Sequence, residues 1–81
     1  MKGRIVGIRT TKFTAEKTGE VISGKTVYFL SEADNVEGYM ADRIFLSEAK
    51  LAHYQPVLND VVDIQYNRFG KVESVVKTGT V

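Results

Sequence analysis

The residues of this chain best suited to chemistry are cations and aromatics set close together. Arg68-Phe69-Gly70-Lys71 places a ring between two positive side chains in a short loop, where no core easily receives it. Tyr39, Arg43 and Phe45 share one parity in another run, so an extended backbone would line them up as an aromatic-cation-aromatic stripe. Lys12 and Lys17 border a polar loop, and Lys25 and Tyr28 lie in the run that follows it. Rings stack on nucleobases and cations neutralise phosphates, and neither contact depends on base identity.

Other chemistries find little support. There is no cysteine, and His53 is the single histidine, which excludes thiolate metal sites and leaves little for zinc. Glu32, Asp34 and Glu37 cluster in one loop but lack the spacing and glycine of a calcium loop. No activated nucleophile or carboxylate pair has a recognisable setting, and Asp60 and Asp63 read as turn and strand-surface residues. The expectation is a protein that is not an enzyme, with no cofactor, no metal and no small-molecule substrate.

Eighty-one residues make one domain, 1–81, with a modest core that dimerisation would reinforce. The net charge of +1 does not announce a nucleic-acid partner, so what counts is whether charges segregate on the surface. No apolar run reaches the length of a membrane span and no signal peptide is visible, which favours a cytoplasmic protein with no membrane partner.

The elements that must position these residues are mostly strands. Residues 3–13 read as a first strand, in which neither face is clearly the core. Residues 14–19 form a polar loop closing on glycine, and residues 20–31 a long second strand in which Gly24 suggests a bend or bulge. Periodicity leaves open whether Tyr28 or Phe29 faces inward. An acidic turn leads to a third strand, 39–46, with Met40, Ile44 and Leu46 as inward candidates. Residues 47–54 suit a short helix, capped by Ser47 and stopped by Pro56. Residues 61–76 are a hairpin. A two-residue loop would set Val62, Ile64 and Tyr66 beside Lys71 and Glu73. A three-residue loop, Arg68-Phe69-Gly70, aligns them instead with Val72, Ser74 and Val76, and gives Gly70 the left-handed position.

Three strands, a short helix and two strands is the plan of the OB-fold, a small five-stranded Greek-key barrel. The expected class is therefore all-β, with the helix between strands three and four. OB-folds bind oligonucleotides on the strand 2–3 face and on the loops joining strands 1–2 and 4–5, where the basic and aromatic residues of this sequence gather.

Phe13-Thr14-Ala15-Glu16-Lys17-Thr18-Gly19 with Gly24-Lys25-Thr26-Val27-Tyr28 resembles the first loop and second strand of the filamentous-phage single-stranded DNA-binding (helix-destabilising, gene V-like) proteins. Arg43-Ile44-Phe45-Leu46-Ser47-Glu48 is similar to their third strand. Pro56-Val57-Leu58 and the hairpin ending in Phe69-Gly70 are similar to their fourth strand and dyad-forming loop. The resemblance implies an OB-type barrel, a symmetric homodimer and cooperative, sequence-tolerant coating of single strands during phage or mobile-element DNA replication. It implies backbone contacts at Lys17 and Arg43, and base stacking by Tyr28 and Phe69.

The residues expected to bind nucleic acid are Lys12, Lys17, Lys25, Tyr28, Tyr39, Arg43, Phe45, Arg68, Phe69 and Lys71, with single-stranded DNA as the partner and RNA as an alternative. The competing expectation is an assembly module on the same small barrel, in which the exposed aromatics meet protein. If Phe69 is a tip residue that meets bases, Phe69→Ala weakens oligonucleotide binding and leaves the thermal midpoint nearly unchanged. A large drop in the midpoint would place the ring in a core instead.

Overall fold

Five segments are dense enough in β-branched and aromatic residues to hold an extended backbone, and glycines mark where strands turn or touch. The computed structural model describes residues 1–80. Its strands are β1 (Lys2–Thr14), β2 (Val21–Ser31), β3 (Met40–Ser47), β4 (Asp60–Tyr66) and β5 (Val72–Thr80), with one short helix, α1 (Glu48–Leu51), between β3 and β4. All pairings are antiparallel, in one open sheet ordered β3-β2-β1-β4-β5. The thirteen residues of β1, at about 3.3 Å each, account for the 42 Å long axis of the molecule.

Strand β1 pairs with β2 along most of its length and with β4 at its start. Its ladder to β2 shifts between Ile5 and Gly7, so Val6 is an extra residue, a bulge. Before the bulge Ile5 points into the core; after it Ile8 does, and Gly7, Arg9, Thr11 and Phe13 share the opposite face. The bulge expected at Gly24 is absent, since the ladder to β1 runs through that residue without a shift and the ladder to β3 begins at it in regular register. Gly24 has another cause. A Cβ there would meet the Leu46 carbonyl oxygen of β3 at 2.2 Å and the Phe45 ring at 2.8 Å, so only glycine fits.

With β2 regular, its parity is settled. Val27 and Phe29 are buried on the inner face, and Tyr28 turns to the outer face. Ile44 and Leu46 of β3, Val62 and Ile64 of β4, and Leu51 of α1 complete the core with Ile5. Phe29 is the largest fully buried side chain, and its ring lies where a Cβ at Gly3 would stand, 2.6 Å from Cδ2.

The helix is shorter than the predicted 47–54, with regular turns only at Glu48–Leu51. Ser47 occupies the N-cap position with extended backbone but gives no side-chain cap; the Glu48 carboxylate instead accepts a hydrogen bond from the Ser23 hydroxyl of β2. Leu51 inserts into the core, and Tyr54 packs against it after the helix has ended.

The tip of the β4–β5 hairpin has the predicted three-residue loop. Gly70 is left-handed at φ +76°, and the Asn67 amide N–H donates to the Lys71 carbonyl at 2.8 Å. The Asn67 side-chain oxygen accepts from the N–H groups of Phe69 and Lys71. The predicted register holds for one pair, Tyr66 with Val72. A bulge then offsets β5 by one residue, so Ile64 faces Val75 instead of Ser74, Val75 packs on the core, and Val76 is left 55% exposed.

Asp60 is a second correction. It is not a turn or surface residue but 1% exposed. The Tyr54 hydroxyl donates to Asp60 Oδ2 at 2.6 Å, and Lys77 Nζ lies 3.4 Å from Oδ1. The carboxylate thus ties the end of the helical segment to β4 and β5, and its partners satisfy a charge that would be costly to bury alone. Burial, then the hydrogen bond to Asp60, holds the Tyr54 hydroxyl well above its ordinary pKa of 10.0. Because the folded value is raised, the neutral phenol stabilises the fold fully below pH 10 and this contribution is lost as pH climbs beyond it. Wild-type stability should therefore fall in denaturant titrations above pH 10. Tyr54→Phe should cost about 1–2 kcal/mol at neutral pH and flatten that alkaline decline.

Candidate nucleic-acid interface

The outer face of β1, β2 and β3 is built by register. Arg9 faces Thr26, and Thr26 faces Phe45; one step along, Gly7 faces Tyr28, and Tyr28 faces Arg43. Arg9, Thr11, Thr26, Tyr28, Arg43 and Phe45 line a shallow cleft of about 320 Å³. At its floor the hydroxyls of Thr11 and Thr26 share a hydrogen bond of 2.8 Å. Phe13 meets Phe45 edge-on, with ring centroids 6.0 Å apart at 61°.

Two of the rings rest on glycine. A Cβ at Gly7 would lie 3.3 Å from Tyr28 Cδ2, and one at Gly24 would lie 2.8 Å from Phe45 Cζ. A ring laid over a glycine of the next strand covers backbone that would otherwise be bare, and its position is fixed by that contact.

No acidic residue lines the cleft, and among the described residues neither Arg9 nor Arg43 forms an ion pair. Asp42, adjacent in sequence, points to the other side of β3, and its carboxylate accepts from the Arg43 backbone N–H at 2.7 Å. The cleft therefore carries two uncompensated positive charges between aromatic rings.

The residues singled out from sequence fall into separate groups. Tyr28, Arg43 and Phe45 share the cleft, and exposed Tyr39 lies just before β3. Lys12 and Lys25 do not join them. Lys12 faces Ser23 and Lys25 faces Leu46, on the side of the sheet that α1 covers. Lys17 is exposed in the β1–β2 loop, where Gly19 at φ +69° makes the return. Phe69 is 72% exposed at the β4–β5 tip, with the Arg68 guanidinium 5.0 Å from its ring centroid and Lys71 exposed beside it.

Arg9 and Thr11 line the cleft, Phe13 borders it through its contact with Phe45, and none of the three was among the predicted site residues. The signal that would have found them is the parity switch at Val6. Glu32, Asp34 and Glu37 are exposed, and among the described residues no group of three acidic, histidine or cysteine side chains is placed to hold a metal ion. No helix of the described residues is long and apolar enough to cross a membrane.

No family model, curated protein or solved structure matches this chain.

The edge-on contact of Phe13 and Phe45 makes the two rings energetically dependent on one another. A double-mutant cycle of Phe13→Ala and Phe45→Ala, read by chemical denaturation, should give a coupling of about 0.5–1.5 kcal/mol. Strict additivity would show that the rings do not share a contact in solution.

Proposed function

We propose that this protein is a non-enzymatic, sequence-tolerant single-stranded DNA-binding protein of the filamentous-phage type. The observation that carries the reading is the outer face of β1–β3, where Tyr28 and Phe45 line one cleft with two unpaired arginines and no carboxylate, and Phe13 meets Phe45 at its border. Tyr28 and Phe45 are half-buried with their rings resting on glycine, and partly open, fixed rings are suited to stacking on bases, each stack contributing roughly 1–3 kcal/mol. Arg9 and Arg43 supply phosphate contacts without first breaking an ion pair. The Arg68-Phe69-Lys71 tip and Lys17 extend the same chemistry on two projecting loops.

The fold reading goes with this function. The strand order β3-β2-β1-β4-β5, the helix between β3 and β4, and the long, bulged β1 shared by two neighbours support an OB-type Greek-key barrel. So does the approach of the two sheet edges on the inner side, where Leu46 of β3 and Val75 of β5 line one small cleft with Lys50 and His53. The site is then the strand 2–3 face that OB-folds use. In this reading the protein acts in the cytoplasm, that of the host if phage-encoded, as a homodimer coating DNA during replication. Few cations serve each protomer, so binding is salt-sensitive and is strengthened by linking sites in a dimer.

The assembly-module reading draws on the same exposed rings but leaves the unpaired arginines without a role. The chain has four tyrosines and no tryptophan, so tyrosine emission carries a contribution from Tyr28 in the cleft that tryptophan does not mask. Oligo(dT) should quench it at low salt, and the effect should weaken steeply as salt rises. Absence of quenching at low salt would overturn the proposal, and self-association without quenching would favour the assembly module.

A further inference from the structure

Resting on that reading, we infer that the cleft between Arg9 and Arg43 is a seat for one phosphodiester group, with bases stacking on the rings at its two ends. The two arginines are two strands apart, about 10 Å, and one side-chain step apart along the sheet, with Thr26 and Tyr28 between them. Side chains of that length can converge from opposite walls on a single group above the floor.

The floor suits an anion. Thr11 and Thr26 share a 2.8 Å hydrogen bond in which either can donate, and the one proton of Thr11 has a longer alternative acceptor in the Arg9 carbonyl oxygen at 3.4 Å. When Thr11 donates to Thr26, the Thr26 proton is free to turn toward a ligand oxygen in the cleft. Two guanidinium groups and one hydroxyl donor, with no acceptor charge nearby, match the oxygens of a phosphate better than the mixed donors and acceptors of a base edge.

The rings set the register of the strand. Tyr28 stands at one end of the cleft beside Arg43, and Phe45 with its partner Phe13 stands at the other. A phosphate held between them has one flanking base over Tyr28 and the other over the Phe45–Phe13 pair. The stacking and the charge neutralisation thus belong to one dinucleotide step rather than to scattered contacts. Arg9 is a phosphate-binding residue in this arrangement, equal in role to Arg43.

The test is an oligo(dT) titration across a salt series for wild type, Arg9→Gln, Arg43→Gln and the double variant. Arg9 and Arg43 are exposed, so thermal midpoints should be unchanged. Each single variant should bind more weakly but keep most of the salt dependence, because the remaining arginine still holds the phosphate. In the double variant the plot of log affinity against log salt should be shallower by about 0.7, the value of one phosphate contact on a single strand. A loss of about 0.7 in each single variant that doubles in the double variant would mean two independent phosphates and overturn the shared seat. Unchanged affinity in Arg9→Gln, with wild-type quenching intact, would remove Arg9 from the site and overturn this inference alone. A wild type that fails to quench would instead bring down the binding proposal itself.

Discussion

The bulge at Val6 inserts one residue between two stretches of β1 that would otherwise share a single side-chain register. Upstream, Gly3 and Ile5 turn inward; downstream, Ile8 does so while Arg9, Thr11 and Phe13 turn outward. Without the extra residue the parity of Ile5 would carry Arg9 and Phe13 into the core side, where neither has a partner, and would expose Ile8. The outer face therefore owes one of its two arginines, Arg9, and one of its rings to a backbone irregularity. Asn59 helps hold the strand at this point: from its left-handed conformation its N–H donates to the Ile5 carbonyl at 2.9 Å. The loop leading into β4 is thereby tied to the residue at which the register of β1 changes.

A similar device shapes the other end of the sheet. The bulge near Glu73 exchanges Ser74 for Val75 as the neighbour of Ile64, bringing an apolar side chain to the core. It also brings Lys77 opposite Val62, within reach of Asp60. A buried carboxylate held by a phenol and an ammonium group is a polar joint in an otherwise apolar interior. Its net contribution to stability need not be large, but removing Tyr54 or Lys77 leaves the buried Asp60 carboxylate short of a partner. Burial, then the charge of Asp42 on β3, raises the Tyr66 hydroxyl's pKa, so β4 feels β3 electrostatically although no ladder joins them.

How much of this could be read from sequence depends on whether the determining interaction is local. The β4–β5 tip was legible because Asn67 and Gly70 satisfy the turn within five residues. The five strands and the helix position were legible from composition and punctuation. The faces of β1 were not, because a bulge cancels the alternation that identifies them, and Ile5, Val6 and Ile8 offer apolar choices on both parities. Gly24 suggests a bend or bulge from sequence alone, because its real cause, the Leu46 carbonyl of β3, lies over twenty residues away in sequence. The burial of Asp60 was equally hidden, since Lys77 reaches it only through the β5 offset. Tyr28 and Phe29 could be distinguished only once β2 proved regular. The site was thus half visible: Tyr28, Arg43 and Phe45 on two well-behaved strands, but not Arg9, Thr11 and Phe13 beyond the bulge.

Gly7 with Tyr28 and Gly24 with Phe45 have an implication for how this surface can diverge. Each ring lies over a residue that has no side chain, in the strand beside its own. Enlarging Gly24 meets a backbone oxygen that cannot retreat, and enlarging Gly7 pushes on the Tyr28 ring. Ring and glycine behave as one inherited character: neither can drift freely while the other remains. Relatives of this chain that kept the surface would carry the pairs together, and relatives that abandoned it would be free to lose Gly7 with Tyr28 but not Gly24, which the Leu46 carbonyl oxygen still holds. Two residues with no functional groups would then mark this face of the sheet more durably than the charged side chains around them.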